Sequence, residues 1–279
     1  MLVDAHAHID WYADALPEAL SQIEKLQILT MAVAMDVPSY RKTLEIARSC
    51  PLIIPTFGIH PWEAARYTDR LHELDGYLED TPVIGEAGLD FHYVKDKELY
   101  PGQLKVFEYQ CSWAQRLSKP MNLHTRGADL EILEMLRRYG IGRSIIHWYS
   151  GPVSLIEEYL AAGCYFTVGV DVLNPRKYPG IAEILPLERI LLETDNPDGY
   201  RWLAKKIGMP DLLLKILEKV AVIKGMTTIE LENRLWRNWQ DFFREESDGT
   251  LPDWIGGHGS RYSPFPMASK SEAKRTHQS

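Results

Sequence analysis

Along the chain, short apolar runs alternate with longer stretches in which apolar positions recur every three or four residues. The short runs are Leu2 to Ala5, Leu29 to Met35, Leu52 to Phe57, Val83 to Glu86, Met121 to His124, Ser144 to His147, Tyr165 to Val168 and Ile190 to Glu193, and they read as β-strands. Between them, Leu16 to Leu26, Tyr40 to Ser49, Leu71 to Glu79, Gln103 to Leu117, Leu130 to Tyr139 and Val153 to Ala161 carry helical spacing. After strand seven, two prolines between Asn174 and Gly180 leave room for only a brief helix. Eight such repeats predict an α/β fold of the (β/α)8 TIM-barrel type, in preference to an open doubly wound sheet. Two more helices are predicted at Pro210 to Ile223 and Thr228 to Glu245, the second with Thr228 as N-cap and Leu231, Leu235, Trp239 and Phe242 on one face.

From Ser247 onward the pattern gives way to Gly, Ser, Pro and scattered charge. The chain therefore divides into a barrel domain, residues 1–246, and a C-terminal tail, residues 247–279, in which Trp254, Ile255, Tyr262 and Phe265 are the available apolar anchors. A chain of 279 residues with 45% hydrophobic content can bury one large core. No apolar run is long enough to cross a bilayer and the N-terminus opens straight into a strand-like segment, so a soluble, cytoplasmic protein without a membrane partner is expected. Cys50, Cys111 and Cys164 lie far apart without a CxxC pair and are expected to be small buried hydrophobes. A net charge of −8 argues against coating nucleic acid by bulk electrostatics, though a local phosphate or metal-centred site stays open.

In such a barrel the C-terminal strand ends and the loops after them form the active face, so polar residues gathered there need a chemical reason. Strand one ends in Asp4-Ala5-His6-Ala7-His8, and strand alternation puts both histidines on the inward side. Strand four ends at Glu86, strand five at His124, strand six at His147 and strand eight at Asp195. One histidine at a strand end is ordinarily a packed or hydrogen-bonded residue. Four histidines and two carboxylates at the same end of five strands form a metal-ligand set.

The same segments carry a resemblance to the TatD-like hydrolases of the amidohydrolase superfamily. They are Val3-Asp4-Ala5-His6-Ala7-His8-Ile9-Asp10, Gly58-Ile59-His60-Pro61, Ile84-Gly85-Glu86-Ala87-Gly88-Leu89-Asp90, Leu123-His124-Thr125-Arg126, Ile146-His147-Trp148-Tyr149-Ser150-Gly151 and Leu192-Glu193-Thr194-Asp195. They follow in consistent order over roughly the first 245 residues. The resemblance implies that His6, His8 and Asp195 hold one divalent ion, that His124 and His147 hold a second, and that Glu86 bridges both. It also implies a metal-dependent deoxyribonuclease acting on DNA ends or nucleotides. The chain departs from the family pattern at the bulky Trp148-Tyr149 pair and at Asn196 to Arg201, which lacks the usual Arg-Asn-x-Pro segment.

Two divalent ions, Mg2+, Mn2+ or Zn2+, can clamp an attacking hydroxide and a phosphoryl or carbonyl oxygen. Glu86 and Asp195 are the candidate catalytic residues, Asp195 as proton acceptor for the attacking water. Asp4 and Glu193, each two residues before a ligand, are expected to hydrogen-bond the far nitrogens of ligand histidines. Arg126 is placed to meet a substrate phosphate, with Trp148 and a non-ligating His60 lining the pocket, while His92 is either near the leaving group or a surface loop residue. Trp11, Trp62, Phe91 and Trp148 follow strand ends and offer either stacking surfaces for nucleobases or ordinary loop packing. Amide or ester hydrolysis of a small molecule is the alternative chemistry, and a non-catalytic metal-binding protein the third. No obligate protein partner is evident.

Overall fold

A computed structural model of the chain describes residues 1–176 and 180–244. The strands are β1 (Leu2–Ala7), β2 (Ile28–Ala34), β3 (Ile53–Phe57), β4 (Ile84–Asp90), β5 (Met121–Arg126), β6 (Ser144–Ile146), β7 (Tyr165–Val168) and β8 (Ile190–Leu192). They pair in parallel, in the order in which they occur along the chain, as one eight-stranded sheet. The seam between β8 and β1 closes through the residues after β8: Asp195 N donates to His6 O at 3.0 Å and His8 N to Asn196 O at 2.7 Å. The Asp4 carboxylate stitches the same seam by accepting from Thr194 N at 3.0 Å and Thr194 Oγ1 at 2.6 Å. The result is the nearly closed barrel that the repeat pattern predicts.

Helices α1 (Leu16–Leu26), α2 (Val37–Ala47), α3 (Asp75–Asp80), α4 (Tyr100–Leu117), α5 (Asp129–Tyr139), α6 (Ile156–Ala161), α7 (Ile181–Ile184), α8 (Asp198–Ala204), α9 (Leu212–Lys224) and α10 (Thr228–Phe243) complete the described chain. Local chemistry sets their ends. Asp36 and Ser39 form a reciprocal capping box at the start of α2. The cap of α10 is Thr227 and not the predicted Thr228, because Thr227 Oγ1 accepts from Glu230 N while the Glu230 carboxylate accepts from Thr227 N. Two predicted helices, from Leu71 and from Val153, open with a 3-10 turn before their α portions. The brief helix expected after strand seven is α7, four residues long. Helix α8, which the periodicity did not predict, follows Pro197 directly.

The barrel interior is filled by Val3, Ala5, Leu29, Met31, Val33, Ile54, Ile145, Tyr165 and Leu191, and the aromatic face of α10, with Trp239, Phe242 and Phe243, packs into the same cluster. The larger cluster lies between the sheet and the outer helices. Cys50, Cys111 and Cys164 are buried and unpaired, as expected. Among the described residues no helix is long and apolar enough to cross a membrane. Trp254, Ile255, Tyr262 and Phe265, the proposed anchors of the tail, lie outside the described residues.

Candidate metal centre

The plain strand pattern breaks where the polar residues gather. The register of β1 shifts between Asp4 and Ala7, and that of β4 between Ile84 and Ala87. Such irregularities re-aim side chains, here around His6 and Glu86. Close strand approach at β4 also dictates glycine: a Cβ on Gly85 would meet Asn122 O at 2.5 Å, and Gly88, at φ +138°, would meet His124 O at 2.0 Å.

Glu86 stands at the centre. Its Oε2 lies 3.6 Å from His6 Nε2 and 3.4 Å from His8 Nε2. Its Oε1 lies 3.1 Å from His124 Nδ1, 3.3 Å from His60 Nε2 and 3.4 Å from His147 Nε2. Asp195 Oδ1 faces the first pole, 3.6 Å from His6 Nε2 and 3.4 Å from His8 Nε2. Three groups of ligand atoms gather within 4.8 Å: His6 with His8 and Asp195; His6 with Glu86 and His147; and His60 with Glu86 and His124. Two atoms each about 2.1 Å from one ion, separated by a tetrahedral angle, are about 3.4 Å apart. The separations of 3.4 to 3.6 Å at His6, His8 and His147 therefore suit shared ions better than direct hydrogen bonds, whereas His124 lies within hydrogen-bond reach of Glu86.

Hydrogen-bond partners decide which nitrogen of each ring is free to ligate. Asn122 Nδ2 donates to Ala5 O at 2.9 Å, so its Oδ1 must accept from His6 Nδ1, also at 2.9 Å. That leaves a lone pair on His6 Nε2, which is buried without a hydrogen-bond partner and faces Glu86 and Asp195. His147 Nδ1 lies 3.2 Å from Glu193 Oε2, so Nε2 is the nitrogen that faces Glu86 and that would ligate once its proton is lost. His124 Nε2 lies 3.1 Å from Asp90 Oδ2, turning Nδ1 to Glu86. Asp90 is itself fixed by Trp62 Nε1 at 2.7 Å and by the His92 and Tyr93 amides at 2.9 and 2.7 Å. His60 behaves differently. Its Nδ1 accepts from Trp62 N at 3.2 Å, so its proton sits on Nε2 and points at Glu86 Oε1. His60 is thereby a hydrogen-bond donor to the central carboxylate, in keeping with a pocket residue that does not ligate.

Electrostatics follow from burial and this crowding. Burial alone would raise the Glu86 carboxyl, but the ring of histidines around it, His60 and His6 through their fields and His124 and His147 through hydrogen bonds, holds it well below the ordinary range. Burial opposes charge on His147 too, yet Glu193 and Glu86 together push it well above the usual imidazole value. The same contest raises His8, through Asp195 and Glu86, and His124, through Asp90 and Glu86. Burial takes His60 down to about 4, so it stays neutral near pH 7. Asp195 is lowered in spite of burial, chiefly by its bond to His8, and stays ionised.

The cleft above these groups, about 250 Å3, is lined by His8, His60, Glu86, His124, His147 and Asp195, and at the rim by Arg126, Trp148, Trp11 and Trp62. Trp11 stacks on the His8 ring at 4.3 Å. Two expectations need correction. Asp4 does not reach a histidine ring nitrogen: it alternates with the interior residues Val3 and Ala5, turns to the β8 seam, and bonds Thr194 and the His6 amide, because the register shift breaks simple parity. Burial raises its carboxyl to about 7. Phe91 does not join the aromatic rim but stacks on Tyr100 at 4.1 Å, and exposed His92 is not among the residues lining the cleft.

Sequence reasoning missed Asn122, Asp90, Tyr93 and Trp202. Asn122 stands two residues before His124, so the rule that singled out Glu193 also points to it. Asp90 ends the Glu86-Ala87-Gly88-Leu89-Asp90 segment. Trp202 sits on the unpredicted α8 and carried no local signal.

The family model described as TatD related DNase matches residues 3–244. The Bacillus subtilis protein YabD, named an uncharacterized metal-dependent hydrolase, is 28% identical over 261 residues, covering 88% of this chain and 99% of that one. The human protein named deoxyribonuclease TATDN3 is 28% identical over 214 residues, covering 70% of this chain and 78% of that one. The crystal structure of the TatD homologue YJJV from Escherichia coli superposes with a TM-score of 0.79 at 23% identity, covering 88% of this chain and 98% of that one, a likeness of fold.

Proposed function

Because the chain belongs to the TatD-related DNase family of metal-dependent hydrolases, we propose that it is a two-metal phosphodiesterase acting on DNA ends or nucleotides. The observation that carries this reading is the central carboxylate, whose two oxygens face separate sets of histidine nitrogens. In this reading His6, His8, Asp195 and Glu86 would hold one divalent ion, and His124, His147 and Glu86 would hold the second. The orphaned lone pair on His6 Nε2 supports the fit. When bound, such ions polarise a phosphoryl oxygen and lower the pKa of a water to near neutrality.

The chain's own groups do the rest. Glu86 balances charge at both positions, and the His60 proton orients it. Asn122, Glu193 and Asp90 fix the rings of His6, His147 and His124. Asp195, ionised and with Oδ1 turned to His6 and His8, accepts the proton of the attacking water at Oδ2. Arg126 supports a phosphoester over a neutral amide: among the described residues its guanidinium makes no ion pair within 4 Å, Asp129 feels its charge only at longer range, and it is held by Tyr93, whose hydroxyl lies 3.1 Å from Nη2 and whose ring centroid lies 5.3 Å from Cζ. Trp148 walls the cleft beside His147. The name of the human relative points to the same chemistry. The test is hydrolysis by the purified protein with Mg2+, Mn2+ or Zn2+ of single-stranded DNA, a p-nitrophenyl phosphodiester and small amides. Cleavage of the amides alone would replace phosphodiester hydrolysis with amide hydrolysis.

A further inference from the structure

The rim of the cleft has a feature that metal chemistry does not require. Trp62 is 49% exposed, Tyr93 50% and Trp202 44%, yet all three line the cleft. Their neighbours hold them in place. Trp62 is anchored through Nε1 to Asp90 and stands edge-on to Tyr93, with ring centroids 6.3 Å apart. Tyr93 is held by Arg126. Across the mouth, Trp148 is anchored through Nε1 to Asp171 at 3.1 Å and meets Trp202 at right angles, 5.6 Å between centroids. One aromatic pair follows β3 and β4 and the other follows β6 and β8, so the two stand on different sides of the barrel mouth. Trp62 and Trp148 are pinned through their indole N–H groups, and Trp62, Tyr93 and Trp202 are exposed at the mouth, so the two pairs offer held aromatic surface on which a flat group settles with little loss of conformational freedom.

The charge at the rim points the same way. Among the described residues, Arg126 is the one Lys or Arg that lines the cleft. Asp198 lines it too and is held by Arg201 at 2.9 Å. In a chain of net charge −8, a long strand drawn across this mouth would bring phosphates to a surface with a single guanidinium to receive them. The cleft volume, about 250 Å3, falls below the roughly 300 to 1,000 Å3 of small-molecule sites, so bases flanking a bound phosphate would rest on its aromatic rim.

We propose that the cleft reads one phosphodiester and the bases on either side of it by stacking, so that recognition is confined to a dinucleotide-sized unit and does not follow a strand along its backbone. This rests on the phosphodiesterase reading above. Arg126 meets the single phosphate, and the Trp62–Tyr93 and Trp148–Trp202 pairs each receive a base.

The test compares kcat/KM, in the presence of Mn2+, for the dinucleotide of two thymidines, the same molecule with one base removed, and a twenty-residue oligothymidylate, at increasing NaCl. Removing a base should lower kcat/KM about 5- to 150-fold. The oligonucleotide should match the dinucleotide within about threefold, and the logarithmic salt slope should be no steeper than about −1. With analogues lacking either base in turn, W62A should bring one dinucleotide-to-analogue ratio toward one and W202A the other, and W62F should restore the ratio that W62A loses. A slope of about −3 or steeper with a more than tenfold preference for the oligonucleotide would mean an extended electrostatic track and overturn the proposal. Equal turnover with and without the base would overturn it as well. Hydrolysis of none of the three would overturn the phosphodiesterase reading together with this one, whereas cleavage of the oligonucleotide alone overturns only this one.

Discussion

Replacing Asn122 by alanine isolates the side chain that orients His6 at the first proposed metal position without touching a proposed ligand. Asn122 is fully buried, donates to Ala5 O and accepts from His6 Nδ1. Truncation leaves a buried ring N–H and a buried carbonyl without these partners, at about 1–3 kcal/mol each, so Asn122→Ala should lose about 2–6 kcal/mol of stability. A domain of ordinary stability, about 5–15 kcal/mol, still folds after that loss. His6 is then free to rotate or to move its proton to Nε2, and metal affinity should fall about 10- to 100-fold, as for other residues that orient ligand histidines. Urea unfolding of the metal-free protein reads the first quantity, and calorimetric titration of metal-free protein with Zn2+ or Mn2+ reads the second. If Asn122→Ala loses stability yet binds metal within twofold of the parent, Asn122 is only a packing residue and the argument from ring tautomers fails.

Other outcomes follow from the same geometry. Glu86→Gln should keep the fold but lower metal content, read by elemental analysis, together with hydrolysis, since it removes charge from both positions; two tightly held ions with full activity would refute bridging. Arg126→Ala should keep its metal while kcat/KM on phosphodiesters falls about 10- to 100-fold, the worth of a charge-assisted phosphate contact. The metal-free protein should lose stability as pH rises from about 6 to 8. His147 and His8 have folded pKa values above 6.5, so their contribution is whole below that pH and lost as pH passes their raised values, and Asp4, raised to about 7, is lost in the same direction. Glu86, held low, loses its contribution only in acid. Melting temperature against pH, with and without metal, should therefore diverge most above pH 7, and parallel curves would contradict it. Finally, because α10 already packs Trp239, Phe242 and Phe243 into the barrel interior, ending the chain after about residue 250 should preserve cooperative unfolding and metal binding.

The alternation of apolar runs and helical spacing was enough to read the barrel, since each of its repeats reports its own local period and burial. Helix α1 has the predicted bounds, and all eight strands lie where the apolar runs stand. The positions of His6, Glu86, His124, His147 and Asp195 at the active end were legible for the same reason: in a parallel barrel every strand points its C-terminus to one face. What each side chain does there was decided by neighbours far away in sequence. A register shift in β1 turned Asp4 to the seam, against the parity that a regular strand would impose. His6 takes its tautomer from Asn122, 116 residues away, and His147 takes its orientation from Glu193, 46 residues away. His60 is made a donor by a backbone amide two residues on, and Trp202 reaches the rim because the chain turns into α8 after Pro197. Periodicity reports which face of an element is buried, but a hydrogen bond between strands depends on where two distant stretches of chain come to lie, and only the folded barrel brings them within three ångströms of each other.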